Sequence, residues 1–313
     1  MNTGIPIIFI HYGDTPYLRY TLDMAQRNNP DKEVVLLGDE KNEKYSRTLH
    51  IRHIPFINYE QSADLQTFRK NFIYIGGANR QTEQDARFEL FCHVRWFYLY
   101  EFMKEHKLDK CWYFDSDTLI LEPLDKREEQ KFEAYDITEQ SNGSMMKGLI
   151  QFRQLELFVQ TMNKLFADTR YADAQREEIT CNPDWALCDM RAYAAFKNIY
   201  TPRTILLNEI IDHEMHDECI CEDDGMETEY VPRLKRTIKK LYFSDRHIYE
   251  KVAATGEMVK LNSINMSWVT TALIEKVYYY KVHGTFPPTY LALFGMMKRL
   301  PRFIRTQITK ETK

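Results

Sequence analysis

The chain has 313 residues, of which 44% are hydrophobic and 13% aromatic, and this composition excludes a chain that is disordered over most of its length. Its formal net charge of -4 provides no global positive field, so we expect no nucleic-acid partner. The length suits one large α/β domain, which we place at residues 1–289, before a short tail at residues 290–313.

The six cysteines are scattered along the chain rather than forming a dense framework, and this spacing predicts reduced thiols. The first apolar run, at residues 5–10, is too short for a membrane span or a signal segment, and no basic segment precedes it. We therefore expect a cytoplasmic protein.

The N-terminal region carries the pattern of a parallel strand-helix-strand unit. Residues 5–10 form a nearly continuous apolar run, which predicts a buried strand, and residues 34–37 form a second one. Between them, Thr15 suits a helix cap and Pro16 suits the first helical position. Such a unit is typical of the nucleotide-binding half of a parallel sheet.

The next region combines a polar stretch with a helical pattern. Residues 57–85 lack sustained periodicity and predict a long loop with short helical pieces, whereas residues 86–106 predict a helix. The residues that form its predicted buried stripe are Phe88, Phe91, Cys92, Leu99, Phe102 and Met103. Arg95 lies within the stripe, where a charged group needs a carboxylate, a carbonyl or a bound phosphate as its partner.

An acidic triplet, Asp115-Ser116-Asp117, directly follows the apolar strand pattern of residues 111–114. Acidic residues at the carboxyl end of a strand lie where open α/β sheets bind ligands. Divalent cations prefer oxygen ligands, and residues two apart on a strand point to the same side. The triplet therefore predicts a metal site formed by Asp115 and Asp117. The alternative is that these acids only terminate a strand or cap a helix.

The second half of the chain predicts four further elements. Residues 147–152 predict a strand, and residues 155–166 and 185–196 predict two amphipathic helices. Residues 239–249 predict a hairpin around the turn Ser244-Asp245-Arg246.

A short cluster of His213, His216, Cys219 and Cys221 holds residue types that bind zinc. Its spacing matches no standard zinc finger, and acidic residues surround it. We interpret the cluster and its acidic neighbours as a solvated surface loop.

The sequence around the acidic triplet resembles the GT-A class of nucleotide-sugar glycosyltransferases, in particular bacterial enzymes that assemble capsule, lipopolysaccharide and other glycans. The stretches that carry the resemblance are residues 5–13, 34–39, 113–117 and 147–152, together with Arg95-Trp96. The resemblance implies an α/β fold with a Rossmann-like mixed sheet flanked by helices. To this fold the chain would add an amphipathic basic C-terminal tail.

The resemblance also implies roles in binding the donor nucleotide sugar. The residues concerned are His11, Tyr12 and Asp39 at the base and ribose, Arg95 at the diphosphate or against the aspartates, and Gly148 beside the sugar. Strand geometry predicts that Ser116, between the two aspartates, either contacts the donor sugar or points elsewhere. Ordinary packing is the alternative for His11 and Tyr12, and a structural ion pair is the alternative for Arg95. For Gly148 the alternative to close approach of a ligand is a turn requirement.

The third metal ligand has two candidates. His283, followed by Gly284, is similar to the histidine with which many members of the class complete the metal shell, although the spacing differs from the usual pattern. Asn265, in a strand-like segment at residues 260–266, is the rival, because an amide oxygen also ligates hard cations. The resemblance implies Mn²⁺ or Mg²⁺ as the cofactor.

Asp184 is similar to the acid of the family's acceptor site. At the start of a predicted helix, it would orient or deprotonate the acceptor hydroxyl. A helix N-cap is its alternative role. We predict that the nearby Asp189 is solvated.

The tail at residues 290–313 interleaves basic residues such as Lys298 and Arg302 with apolar ones such as Phe294 and Phe303. This pattern predicts an interfacial anchor on anionic lipid, and packing against the domain is the alternative. With such an anchor, a cytoplasmic protein would lie at the inner face of the membrane.

Together, these features predict a metal-dependent glycosyltransferase that moves a hexose from a nucleoside diphosphate sugar, with UDP favoured, to a saccharide or lipid-linked saccharide. One alternative is a nucleotidyltransferase that makes sugar nucleotides. Such enzymes generally need a glycine-rich basic phosphate loop near the first strand, where this chain has only Gly13. A noncatalytic membrane-associated scaffold is the other alternative.

Overall fold

The computed structural model describes residues 4–286, and its first elements alternate between strand and helix. They are β1 (Ile7–His11), α1 (Leu18–Asn28), β2 (Val34–Gly38), α2 (Glu43–Leu49) and β3 (Arg52–Pro55), with short 3-10 helices at Glu40–Asn42 and Phe56–Asn58. Strand β2 pairs in parallel with both β1 and β3. This arrangement confirms the predicted strand-helix-strand unit.

The start of α1 differs from the prediction. The helix begins at Leu18, one residue after Tyr17, rather than at Pro16. The Thr15 hydroxyl does not cap it and instead lies 3.3 Å from His11 Nε2. The hydroxyl of a threonine can either cap a helix or contact a neighbouring side chain. In this protein the Thr15 hydroxyl contacts His11.

The predicted loop at residues 57–85 contains the nine-residue helix α3 (Ala63–Asn71), which agrees with the short helical pieces expected there, and α4 (Glu83–Glu105) follows it. The Thr82 side chain accepts a hydrogen bond from the backbone of Asp85, so a capping box fixes the start of α4. The predicted stripe is buried at Leu99, but Phe88 is 59% exposed. The two residues lie about three turns apart on one face, so we attribute the exposure of Phe88 to the first turns of α4 extending beyond the core.

Ten further elements follow up to residue 206. They are β4 (Lys110–Asp115), β5 (Thr118–Ile120), α5 (Lys126–Gln130), β6 (Ile137–Gln140), β7 (Met145–Met146), β8 (Gly148–Gln151), α6 (Phe152–Ala167), α7 (Thr169–Thr180), α8 (Asp189–Tyr200) and β9 (Thr204–Leu206). The main sheet has the order β3-β2-β1-β4-β8, in which β8 runs antiparallel to β4 and the other pairs are parallel. Strands β7, β6 and β9 form a small separate sheet.

The predicted helix at residues 185–196 begins later than expected, because α8 starts at Asp189. The residues before it pair with a distant loop instead. The backbone N–H of Gly77 donates to the carbonyl of Trp185, and that of Leu187 donates to the carbonyl of Ile75. These tertiary contacts override the local helical pattern.

The last elements form a second sheet and a closing helix. They are β10 (Glu214–His216), β11 (Thr228–Val231), β12 (Arg236–Lys239), β13 (Tyr242–Ser244), β14 (His247–Lys251), β15 (Met258–Asn265) and α9 (Thr271–His283). The second sheet has the order β10-β15-β14-β13, and β5 also pairs with the end of β15. Asp245 and Arg246 both have positive φ at the turn between β13 and β14, and this turn confirms the predicted hairpin.

Apolar cores cover both faces of the main sheet. One core lies between the sheet and α3, α4, α6 and α8, and another packs the opposite face against α1 and α2. A third core joins the second sheet to α9. The mixed α/β architecture is therefore confirmed. The predicted tail at residues 290–313 lies outside the described residues, and within residues 4–286 no helix is long and apolar enough to cross a membrane.

Candidate functional site

The acidic triplet lies between the two sheets. Asp115 is the last residue of β4, where it pairs with Ile10 of β1, and the loop then turns into β5. Ser116 Oγ lies 2.8 Å from His11 Nδ1, at the carboxyl end of β1. Asp117 makes its contacts in the other direction, because its Oδ2 accepts a 2.9 Å hydrogen bond from Ser267 beyond the end of β15. The neighbouring residues Ser116 and Asp117 thus contact the ends of two different strands, β1 and β15.

Asp115 is held by two cationic side chains. Arg95 Nη1 donates to Asp115 Oδ1 over 3.1 Å, and Lys147 Nζ forms an ion pair with the same oxygen. Burial alone would raise the pKa of Asp115, but the nearby charges of Lys147 and Arg95 hold it below its usual value. Asp115 is therefore an ionised carboxylate at neutral pH.

Lys147 is a site residue that we did not predict from the sequence. Its side chain is completely buried, and its Nζ lies 4.4 Å from the centroid of the Tyr113 ring. Burial lowers the pKa of Lys147 to about 8, although the charge of Asp115 opposes this shift. One feature of the sequence could have identified Lys147 as a site residue. It directly precedes the buried residues of β8, and a charged group in such a position needs a partner.

Asp189 was also assigned wrongly, because it is only 3% exposed rather than solvated. Its Oδ2 accepts hydrogen bonds from Arg95 Nη2 and from Trp96 Nε1, each at 2.8 Å. The guanidinium of Arg95 therefore bridges two carboxylates. This result provides the partner that the sequence analysis expected for Arg95, and it makes Asp189 the residue that orients Arg95 towards Asp115.

Asp117 is the least satisfied acid of the triplet. Its Oδ1 is buried and has no hydrogen-bond partner. Burial, followed by the charge of Asp115, raises the pKa of Asp117 to about 6. A buried oxygen without a partner beside a second carboxylate is an arrangement that a cation would stabilise.

Asn265 belongs to the same hydrogen-bond cluster as Asp117. Its Oδ1 accepts from the backbone N–H of Ser267 at 2.9 Å, and the Ser267 hydroxyl, which donates to Asp117 Oδ2, lies 2.7 Å from the same amide oxygen. The cluster brings carboxylate and amide oxygens together, which is the donor chemistry that Mn²⁺ and Mg²⁺ prefer. Asp115, Asp117 and Asn265 are therefore the residues of this cluster whose oxygen atoms have the chemistry that suits a hard divalent cation.

The structure gives His283 a different setting. It is the last residue of α9, and Gly284 follows in the left-handed conformation of a helix C-cap. The His283 ring packs against Tyr279 at 5.2 Å between ring centroids. Within residues 4–286, no group of three or more His, Cys, Asp or Glu side chains could hold a metal ion. Helix capping thus accounts for the His283-Gly284 pair.

The predicted nucleotide-binding residues lie together at the carboxyl ends of β1 and β2. The carboxylate of Asp39 accepts a hydrogen bond from the backbone N–H of Gly13, so the two strand ends are joined. His11 is buried, and this burial lowers its pKa to about 4, so the ring is neutral at pH 7. Tyr12 is 68% exposed, and its ring lies 5.4 Å from that of Phe91. Tyr12 is available to a ligand.

Gly148 is explained by packing within the protein. Its φ is +79°, and a Cβ atom there would lie 2.7 Å from Leu207 Cδ2 and 2.9 Å from Thr138 Oγ1. Positive φ and lack of space both require glycine at this position. The space that a side chain would need is filled by protein atoms.

Asp184 lies in the turn between α7 and α8 and not at the start of a helix. Its Oδ1 accepts a 2.7 Å hydrogen bond from Asn79 Nδ2, and the backbone N–H of Asn79 donates to the carbonyl of Pro183. The cap alternative for Asp184 is therefore wrong. The nearby Asp189, in contrast, is linked to the triplet, because it contacts Arg95 and Arg95 contacts Asp115.

The cluster of His213, His216, Cys219 and Cys221, which we predicted to be a solvated surface loop, is more buried than expected. His213 is exposed and contacts Glu257, whereas His216 is buried and contacts Glu128 Oε1 at 2.9 Å. The acids Asp217 and Glu218, which were expected in a solvated loop, are also buried. Pairing explains this difference, because Asp217 forms a buried ion pair with Lys239 at 2.5 Å.

Comparison with known proteins gives weak structural similarities. No protein-family model and no curated protein matches the chain. A solved structure named PaToxG Glycosyltransferase is similar, with 10% sequence identity and a TM-score of 0.31 over 62% of this chain and 86% of that one. The glycosyltransferase GlyE of Streptococcus pneumoniae TIGR4 is similar with 16% identity and a TM-score of 0.35, over 67% of this chain and 47% of that one. The chain thus spans about half the length of the GlyE structure.

Proposed function

We propose that the protein is a metal-dependent glycosyltransferase that moves a hexose from a nucleoside diphosphate sugar, with UDP as the favoured nucleotide. The observation that carries this proposal is the buried, unpartnered Oδ1 of Asp117 beside the ionised Asp115 at the carboxyl end of β4. That position is where open α/β sheets bind their ligands.

Asp115, Asp117 and Asn265 would hold Mn²⁺ or Mg²⁺ in this proposal. When bound, the cation would supply charge neutralisation for the diphosphate leaving group. His283 remains the alternative third ligand, but its exposed position at the end of α9 gives it less support than Asn265 has from its link to Asp117 through Ser267.

Arg95 and Lys147 place two positively charged side chains at the site. Both lie against Asp115, and Arg95 is also fixed by Asp189. Fixed cations of this kind stabilise negative charge without reorganisation during the reaction. We assign the diphosphate of the donor to this place, with Ser116 near the donor sugar and His11, Tyr12 and Asp39 around the base and ribose.

In the transfer, the acceptor hydroxyl oxygen forms a bond to the anomeric carbon of the donor. The bond from that carbon to the diphosphate oxygen breaks, and its electron pair leaves with the nucleoside diphosphate. The hydroxyl proton passes to a carboxylate base, for which Asp184 is our candidate because it is an exposed acid anchored by Asn79.

The acceptor in this proposal is a saccharide or a lipid-linked saccharide. A tail at residues 290–313 that binds anionic lipid would bring the site to such acceptors at the inner face of a membrane. This part of the proposal depends on the sequence pattern of the tail.

Calorimetric titration with UDP and GDP, each with and without Mn²⁺, tests the proposal. We expect Mn²⁺-dependent binding of one nucleotide by the wild-type protein and its loss in Asp117→Asn. Asp173→Asn is the matched control, because Asp173 is an exposed acid on α7. Folded wild-type protein that binds neither nucleotide would contradict the proposal.

A further inference from the structure

Trp268 combines high exposure with an unusual backbone conformation. It lies three positions beyond Asn265, between β15 and α9, and its side chain is 75% exposed. Its φ is +67°, in the left-handed region that bulky side chains avoid. Both features cost free energy in the ligand-free protein. The exposed indole lacks the favourable free energy of burying its apolar surface, and the backbone at Trp268 is strained. Such strain at the edge of a site indicates a functional constraint.

The residues before Trp268 are fixed to the acidic triplet. The backbone N–H of Met266 donates to the carbonyl of Asp117 at 3.1 Å, and the Ser267 hydroxyl donates to Asp117 Oδ2 at 2.9 Å. The Ser267 carbonyl lies 3.4 Å from Cys221 Sγ. The main chain that carries the indole is therefore held at a defined position relative to Asp117.

A charged side chain lies near the indole. The guanidinium carbon of Arg236, on β12, lies 6.0 Å from the centroid of the Trp268 ring. A guanidinium at this distance makes a cation–π contact with the face of the aromatic ring. The high exposure of Trp268 leaves the ring surface otherwise available to a flat ligand, such as the C–H face of a sugar ring.

The position of Trp268 relative to the triplet indicates which of the two substrates, donor or acceptor, its ring would contact. Ser116 contacts His11 at the end of β1, where the proposed nucleotide site lies, whereas Asp117 contacts Ser267 beyond β15. Trp268 follows Ser267 and so belongs to the side away from the nucleotide. We infer that Trp268, supported by Arg236, is the stacking platform of the acceptor-saccharide subsite. This inference rests on the proposed glycosyl transfer.

The test compares wild-type protein with Trp268→Ala and Trp268→Tyr. Nucleotide release from UDP-glucose, UDP-galactose and UDP-N-acetylglucosamine with Mn²⁺ is measured against lactose, maltose, cellobiose and chitobiose as acceptors. Saturation-transfer NMR measures binding of the same saccharides directly. Ile199→Ala is the control, because Ile199 is an exposed apolar residue at the other end of α8 from Asp189.

We expect Trp268→Ala to raise the acceptor KM or Kd roughly tenfold, as loss of one stacking contact does. Trp268→Tyr should restore most of the affinity, and UDP affinity should stay within about twofold of wild type. An unchanged acceptor KM, or a loss of UDP affinity instead, would overturn the inference. So would a wild-type protein that binds UDP but none of the saccharides. Failure of the wild-type protein to bind any nucleotide would instead contradict the proposed function itself.

Trp268→Gly separates a binding role from a structural one. Glycine adopts the left-handed conformation without strain, so we expect its Tm to be no lower than that of the wild-type protein while acceptor binding is lost. A Tm several degrees lower would mean that the indole stabilises the fold, and this result would overturn the inference.

Discussion

Lys147 and Asp115 form an ion pair in which the lysine side chain is completely buried while the carboxylate side chain remains 30% exposed. The positive charge therefore lies on the protein side of Asp115, and the carboxylate retains an open side. Because Arg95 contacts the same Asp115 oxygen, the carboxylate is fixed in its charged form before any ligand arrives.

Lys147→Met should lower Mn²⁺-dependent UDP affinity about tenfold or more, because it removes a buried cation that fixes Asp115, a proposed metal ligand. We expect a smaller effect on stability, below about 2 kcal/mol, since the desolvation cost of the buried lysine offsets the lost ion pair. Calorimetry and urea unfolding measure the two effects. Lys164→Met, at an exposed position on α6, is the control. Unchanged UDP affinity in folded Lys147→Met would exclude a role for this lysine in nucleotide binding.

Asp117→Asn should stabilise the metal-free protein at pH 8 by about 1–3 kcal/mol. Burial and the charge of Asp115 raise the pKa of Asp117 to about 6, so ionisation of this carboxyl at pH 8 costs free energy in the folded state. Neutral asparagine avoids that cost. In the wild-type protein, Mn²⁺ should relieve it and raise the Tm, and the variant should lack this response. Thermal unfolding with EDTA or Mn²⁺ tests both statements, and a variant less stable than wild type in EDTA would refute them.

Asp189→Asn should destabilise the protein by about 2–3 kcal/mol, because it leaves the buried guanidinium of Arg95 with one charged partner instead of two. Asparagine preserves the size of the side chain and an acceptor for Trp96. Urea unfolding measures the effect, with Asp173→Asn as the exposed control. A loss of less than about 0.5 kcal/mol, the range of ordinary surface substitutions, would show that Asp189 is not needed to hold Arg95.

Glu128 should contribute to the acid sensitivity of the fold. Burial alone would raise its pKa, but hydrogen bonds and charges from His216 and Lys131 outweigh burial and lower the pKa to about 2. A folded-state pKa below the unfolded value gives stability that is complete above pH 4.5 and is lost as the pH falls towards 2. Up to about 3 kcal/mol depends on this difference.

Glu128→Gln should therefore be less stable than wild type at pH 7, and its unfolding free energy should change less between pH 5 and pH 3. Urea unfolding at these pH values tests the prediction. Glu133→Gln, at an exposed position nearby, should follow the wild-type pH dependence. Parallel pH curves for wild type and Glu128→Gln would mean that another group causes the acid sensitivity.

The strands at the centre of the fold were predictable because their signals are local. Buried parallel strands appear as short apolar runs. Strands β1 and β4 end in His11 and Asp115, and Asp39 directly follows β2, so polar residues lie at the sheet edge where open α/β sheets bind ligands. The same signal located Asp115 and Asp117. Their metal-binding role remains a prediction, but their position at the carboxyl end of β4 is confirmed.

The remaining features depend on contacts between distant parts of the chain. Asp189 follows Arg95 by 94 residues, and no local pattern indicates that the two side chains meet. The start of α8 was displaced because residues 185–187 pair with residues 75–77. For Lys147, a charge within an apolar run was a usable signal, of the same kind as the one that identified Arg95.

The bond between Ser267 and Asp117 joins residues that are 150 positions apart. During synthesis, β4 and the triplet leave the ribosome long before β15 and Ser267 do, so the nascent chain holds Asp117 without this partner while the next 150 residues are added. The proposed cation site is completed only when the last strand is added. A nascent chain stalled before residue 267 should thus contain a folded nucleotide half that cannot yet retain Mn²⁺.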